Sequence, residues 1–213
     1  MDTEQSLYEI GEVSWKGADT IEPFGHTLAI HDLTLDRRHT TTLQVNMGSL
    51  CNQTCRHCHL SAGPDRKENM TAQTVDEVIS YAWRGHFETV DITGGAPELN
   101  PHLVKLIESV SSLAPRIMLR SNLSALNDGK RNHLMDLFNT YRVVIVASFP
   151  SLNDAQADAQ RGTGVFQKSI DALRRLNDIG YGQENSDLEL NLVSNPTGAF
   201  LSPSQAETEK RFR

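Results

Sequence analysis

Cys51, Cys55 and Cys58 are the only cysteines in a chain of 213 residues, and they fall within eight positions, Cys51-Asn-Gln-Thr-Cys55-Arg-His-Cys58. Thiolates are the usual protein ligands of iron–sulfur clusters. Three of them on one tight loop suit three irons of a [4Fe–4S] cluster and leave the fourth iron open to a non-protein ligand. A structural zinc site asks for four ligands, often as two separated pairs. No second pair exists here, and His59 directly follows Cys58, a poor position from which to join the same tetrahedron. An odd number of cysteines does not describe a disulfide framework. The spacing therefore favours a cluster, with zinc and unrelated free thiols as the alternatives.

The elements around this loop follow from hydrophobic periodicity. Leu43, Val45 and Met47 alternate as in a strand that leads straight into the cysteines. Thr71 caps a helix with apolar positions Val75, Val78, Ile79 and Ala82, and Gly85 is placed to end it. A strand over Thr89 to Thr93 runs into Gly94-Gly95-Ala96-Pro97-Glu98. Asn100-Pro101 then reads as an N-cap with proline at the first helical position, ahead of the stripe Leu103, Leu106, Ile107 and Val110. The unit repeats. Ile117 to Leu119 is a strand ending in Ser121-Asn122, and Leu134, Leu137, Phe138 and Tyr141 stripe the next helix. Val143 to Ala147 is a strand ending in Ser148-Phe149-Pro150-Ser151. Phe166, Ile170, Leu173 and Leu176 mark another helix, with Gly180 as its C-cap. Leu188, Leu190 and Leu192 alternate along a fifth strand ending in Ser194-Asn195-Pro196.

Strands alternating with helices imply a parallel sheet with right-handed crossovers. Each strand ends in residues suited to a site, and in β/α barrels the loops after the strand C-termini carry the chemistry. The predicted fold is α/β, a partial, open (β/α) barrel. Residues 1–41, polar and without strong periodicity, read as an N-terminal extension beside a core at 42–202. Residues 203–213 read as a polar tail.

The bulk numbers exclude several classes. With 38% apolar and 22% charged residues the composition is ordinary globular. A net charge of −7 without a basic stripe speaks against nucleic acid or an anionic membrane as partner. The acidic start lacks an apolar secretory region, no run approaches bilayer length, and reduced thiolates fit the cytosol, so a cytoplasmic protein is expected.

A Cys-x3-Cys-x2-Cys loop after the first strand, with Gly-Gly-Ala-Pro-Glu after the second, resembles the radical S-adenosylmethionine (SAM) superfamily. The resemblance implies that the amino and carboxylate groups of SAM chelate the open iron. An electron from the reduced cluster then breaks the sulfonium C–S bond to give methionine and a 5′-deoxyadenosyl radical. It also implies a reductant such as flavodoxin or ferredoxin. Further segments are similar to the arsenosugar-biosynthesis radical SAM family: Cys51 to His59, Ala62-Gly63-Pro64, Asp91 through Pro101, Gln160-Arg161-Gly162, Val165-Phe166, and Asn195-Pro196 with Gly198 to Leu201. This implies transfer of the 5′-deoxyadenosyl group to a trivalent methylated arsenical. Other small molecules or peptides are the alternative substrates, and a non-catalytic cluster- or zinc-binding module is the alternative class.

Carried over position by position, the resemblance assigns Cys51, Cys55 and Cys58 to the cluster and His57 to the adenine. Gly94 and Gly95 become the backbone approach to the SAM amino group, followed by Ala96 and Pro97. Ala96 stands where the superfamily commonly has an acid. Asn122 and Ser148 are candidates for the ribose or the methionine carboxylate, and Arg161 for a charge-assisted pair with that carboxylate. Asp91, inside a strand, reads as a hydrogen-bonded structural acid. The superfamily core usually has six βα units and the arsenosugar family adds a cysteine-containing C-terminal domain. Five units are visible here, so a C-terminally truncated chain with an uncovered fifth strand is expected, one that assembles a cluster poorly and turns over slowly or not at all.

Overall fold

The computed structural model describes residues 22–36, 38–194 and 204–212. The chain divides into two units, Met1–His39 and Thr40–Arg213. In the first, one short helix is described, α1 (Phe24–Ile30), with no buried side chain.

The second unit is built on five parallel strands in sequential order: β1 (Thr42–Asn46), β2 (Thr89–Thr93), β3 (Arg116–Ser121), β4 (Val144–Ser148) and β5 (Leu190–Val193). Leu43 lies opposite Val90, Val90 opposite Ile117, Leu119 opposite Ile145 and Ile145 opposite Leu190. Because successive side chains alternate between faces, this register puts one apolar row on a single side of the sheet. The core forms there, from Val45, Val90, Ile92, Ile117, Leu119, Ile145 and Ala147 against the helices. The expected α/β partial barrel is thus the observed architecture, and all five strands end at the same edge.

Five helices follow the first four strands: α2 (Ala72–Gly85), α3 (Leu103–Val110), α4 (Asn132–Thr140), and the pair α5 (Asp154–Arg161) and α6 (Val165–Asp178) after β4. Thr71 caps α2 by accepting from the Thr74 amide at 3.2 Å, as its position suggested. Gly85 is still inside α2, and His86 makes the left-handed turn beyond it (φ 48°). Glycine at 85 leaves room for the Phe87 ring, which a Cβ there would meet at 2.2 Å. The start of α3 also differs from the sequence expectation. Pro97–Leu99 forms a 3-10 turn, and α3 begins at Leu103 rather than at Pro101. Asn100 Oδ1 still accepts from the His102 amide, but its Nδ2 is drawn to the carbonyls of Met47 and Met70 and to Asn69 Oδ1. One buried amide so ties β2's exit to the segments flanking the cysteine loop.

The periodicity gave no sign of α5. It buries only Ala157 and Arg161, so it has no apolar stripe to read. Its legible signal was the cap, since Asn153 Oδ1 accepts from the Gln156 amide at 3.0 Å. Within the stretch taken as a polar tail lies a further helix, α7 (Gln205–Phe212). Asn195-Pro196 and the 198–201 segment lie outside the described residues. Leu192 and Val193 on β5 are exposed, and among the described residues β5 pairs only with β4.

The opposite face of the sheet is mixed, with Gln44, Asp91 and Arg120 beside Met118, Val144 and Val146. Asp91, which is buried, receives a bidentate pair from Arg120 (Nε at 3.0 Å and Nη2 at 2.8 Å) and a third bond from Gln44 at 2.8 Å. Burial alone would raise this carboxyl, but the bonds from Arg120 and Gln44 outweigh it and hold the group below the usual range. Asp91 is the structural acid its position suggested.

Candidate functional site

The cysteine loop is held from both sides by backbone bonds. The β1–β2 ladder continues past the strands: the Met47 amide donates to Thr93 O, Gly95 N to Gly48 O and Ala96 N to Leu50 O, each at 2.8 Å. On the other flank Ser49 N donates to Glu68 O, Cys51 N to Gly63 O and Gly63 N to Ser49 O. The Gly94-Gly95 turn makes this approach possible. Gly94 has φ 153°, and a Cβ on it would stand 2.9 Å from Gly48 O; on Gly95 it would stand 2.5 Å from Leu50 O. Glycine here lets two site loops touch backbone to backbone, a contact the sequence reading did not foresee when it assigned these residues to SAM alone.

Cys51 is buried in a nest of small side chains, Ala62, Ala96 and Ala125, with Cys58, Leu60 and Leu99 at its margin. Ala96 therefore helps wall the first cysteine. Pro97 is buried behind it and starts the 3-10 turn. Two of the three sulfurs receive hydrogen bonds, Cys51 Sγ from Asn122 Nδ2 at 3.4 Å and Cys58 Sγ from the Ala62 amide at 3.3 Å. Cys55 Sγ donates to Gln53 Oε1 at 3.1 Å. Burial pushes the Cys51 and Cys55 thiols up; the Asn122 bond opposes this at Cys51, and the Arg161 charge opposes it at Cys55. Ligation is the ordinary way to ionise such a thiol.

The chemistry of the three cysteines suits a cluster. Among the described residues no three His, Cys, Asp or Glu side chains converge as ligands of one metal. A [4Fe–4S] cluster asks instead for thiolates directed at separate irons. Donors already directed at two sulfurs, in an apolar nest, suit that anionic group.

Arg161, at the end of α5, is buried, and its Nη2 donates to Ser148 Oγ at 2.5 Å. Its Nε and Nη1 are buried without a partner. Burial depresses the guanidinium, and Cys55 and Cys51 are near enough to counter that in part. A buried guanidinium with two unused N–H donors is costly unless an anion completes it. This observation fits the carboxylate of SAM. Ser148 and Arg161, separate in sequence, are thus brought together.

His57 is exposed, and partial burial followed by the Arg161 charge shifts its imidazole down. With Arg56 it borders a broad open trough of about 2210 Å³ that runs along β5 past Ser151 and Ser194. Neither the cysteines nor Gly94 and Gly95 line that trough, which meets the cysteine loop at Arg56 and His57. Asn122 is placed at the site with its side chain on protein groups: Nδ2 serves Cys51 and Asn52, and Oδ1 accepts from Ser124 and the Ala125 amide.

Glu98 is the acid that closes the Gly94-Gly95-Ala96-Pro97-Glu98 segment. It is fully buried, and Oε1 accepts from Ser121 Oγ at 2.5 Å while Oε2 has no partner. Burial raises its carboxyl against the opposing Ser121 bond.

The sheet, the cysteine loop and the Gly-Gly turn together define a radical-enzyme fold, and sequence comparison agrees. The profile of the radical SAM superfamily matches residues 45–190. The chain belongs to that superfamily, whose members use a [4Fe–4S] cluster and SAM. It is similar to a probable GTP 3′,8-cyclase of Pyrococcus abyssi, with 20% identity over 154 residues, 66% of this chain and 50% of that protein. It is also similar to the putative peptide biosynthesis protein YydG of Bacillus subtilis, with 29% identity over 83 residues, 38% of this chain and 26% of that one. Streptococcus suis SuiB, solved with S-adenosylmethionine bound, shares the fold at a TM-score of 0.56 and 16% identity, covering 76% of this chain and 38% of SuiB. The chain spans half or less of the length of the curated relatives it matches. Among the described residues no helix is long and apolar enough to cross a membrane.

Proposed function

We propose that this chain forms the SAM-cleaving centre of a radical enzyme. The observation that carries the reading is Arg161, a buried cation with two unpartnered donors next to a clamped three-cysteine loop. Cys51, Cys55 and Cys58 would hold the cluster. The cluster, reduced by a donor such as flavodoxin or ferredoxin, would supply the one electron needed for reductive cleavage of the sulfonium C–S bond of bound SAM. The protein's part is to position and exclude water. Arg161, fixed by Ser148, takes the methionine carboxylate through charge-assisted bonds. The Gly94-Gly95 backbone approaches the amino group, His57 borders the adenine, and Ala96 with Pro97 keeps solvent from Cys51.

For the substrate, the motifs shared with the arsenosugar family support a trivalent methylated arsenical, whose lone-pair-bearing arsenic can accept a carbon radical. A peptide substrate is the second reading, supported by the similarity to YydG. Anaerobic reconstitution with iron and sulfide, followed by dithionite and SAM, should give a brown chain that forms 5′-deoxyadenosine slowly. A full cluster that binds SAM but never yields 5′-deoxyadenosine refutes the catalytic reading. Adding dimethylated trivalent arsenic should give an arsenic–deoxyadenosine adduct, and deoxyadenosine without adduct counts against the arsenical.

A further inference from the structure

Glu98 and Asn122 both sit deeper in the site than their place in the motifs suggested, and a short chain of bonds joins them. Ser121 Oγ donates to Glu98 Oε1 at 2.5 Å and accepts from the Leu123 amide at 2.9 Å. Leu123 is fully buried with φ 64°, a conformation a leucine keeps only when its surroundings enforce it. The enforced turn carries Asn122 between Ser121 and Leu123. Its Nδ2 donates to Cys51 Sγ at 3.4 Å and to Asn52 Oδ1 at 2.8 Å, while Ala125 N at 3.1 Å and Ser124 Oγ at 3.3 Å fix its oxygen. From the other side Arg131 Nε donates to the Glu98 carbonyl at 3.1 Å. All four partners of the Asn122 side chain are protein groups, so its amide is committed before any ligand arrives.

We propose that Asn122 tunes the reduction potential of the cluster through its bond to the Cys51 sulfur, and that Glu98 and Ser121 are positioning residues that hold it there. The inference rests on the cluster reading above. A donor at a thiolate sulfur stabilises the more negative, reduced cluster, and such bonds are one of the levers on iron–sulfur potentials. Radical cleavage of SAM depends on a strongly reducing centre, so a single buried amide on one sulfur bears directly on how hard the site is to reduce. The acid of the Gly-Gly-Ala-Pro-Glu segment thereby gains a role distant from SAM.

The test uses the full chain, reconstituted anaerobically without SAM, with iron and sulfide content and an EPR-monitored redox titration as readouts. Asn122→Leu should keep a full cluster, shift the midpoint to a more negative potential, and leave the dissociation constant for SAM within about twofold, well under the tenfold that a lost ionic hydrogen bond brings. Asn122→Ala serves should the leucine variant not fold. Ser121→Ala and Glu98→Leu should move the midpoint the same way by less, and Ser121→Thr, which restores the hydroxyl, should return it. A full cluster with an unmoved midpoint in both Asn122 variants overturns the proposal. So does a fixed midpoint with tenfold weaker SAM, which would make Asn122 a SAM ligand. Failure of the unaltered chain to take up iron and sulfide refutes the cluster reading itself, and this inference with it.

Discussion

The C-terminal edge of the sheet has two unlike halves. From β1 to β3 the loops are bonded to one another: Gly95 and Ala96 to the cysteine loop, Asn100 to both of its flanks, Asn122 to Cys51. At β4 and β5 the exits are joined as well, Ser194 Oγ to Pro150 O and the Arg56 amide to Gln160 O, but Arg161 keeps two buried donors without partners, and Leu192 and Val193 face solvent. Under the proposed function, the first half would be preorganised for a rigid inorganic group, whose shape a protein can match in advance, and the second would leave donors open for an organic ligand. Buried polar groups are normally satisfied, so the open donors of Arg161 mark a place for a ligand, while in the first half Glu98 Oε2 is the buried atom left without a partner among the described residues.

Four experiments bear on that division. The largest effect is expected from Cys55→Ala, which should abolish the brown colour and the iron and sulfide content; retention of a full cluster would remove Cys55 as a ligand. Arg161→Met should separate the halves, with normal cluster uptake and SAM bound at least about tenfold more weakly, as expected when a charged hydrogen bond is lost. Isothermal titration reads this, and equal loss of cluster and SAM would show the halves to be one unit. Gly95→Ala strikes the clamp, because the new Cβ would meet Leu50 O. The expected cost is roughly 2 kcal/mol by urea unfolding, in the range for overpacked sites, together with reduced cluster uptake.

The smallest effect belongs to the Asp91–Arg120 pair, whose carboxylate is bonded to Arg120 and Gln44 rather than to either half. Asp91→Asn should cost roughly 1 kcal/mol at neutral pH, a value discounted because Arg120 is half exposed. The Asp91 carboxyl is depressed in the folded protein, so its contribution is present above the ordinary carboxylate value and is lost as pH falls through the lower folded one. The stability gap between the unaltered chain and the variant should therefore close below about pH 4. A gap that instead widens on acidification would contradict the ion pair.

Much of this was legible in one dimension. Alternating Leu43, Val45 and Met47 and the stripe Val75, Val78, Ile79 and Ala82 report their faces directly, since burial on one side imposes the period. The Thr71 cap was visible for the same local reason. Helix α5 was not, because its buried residues are an alanine and an arginine rather than an apolar stripe. Asn100 looked like a helix cap because local spacing carries no information on Met47, more than fifty positions away, whose carbonyl it holds.

By itself the sequence determined the parallel α/β order, the three thiols and the Gly-Gly turn, because periodicity, residue chemistry and backbone permissiveness are local properties. Only the tertiary structure decided what those residues face. It turned the glycines onto the cysteine loop, Asn122 onto a sulfur and Glu98 into the interior, and it left Arg161 buried with donors to spare. Each of these depends on which distant strand ends share one edge of the sheet, and that is set by packing the whole unit.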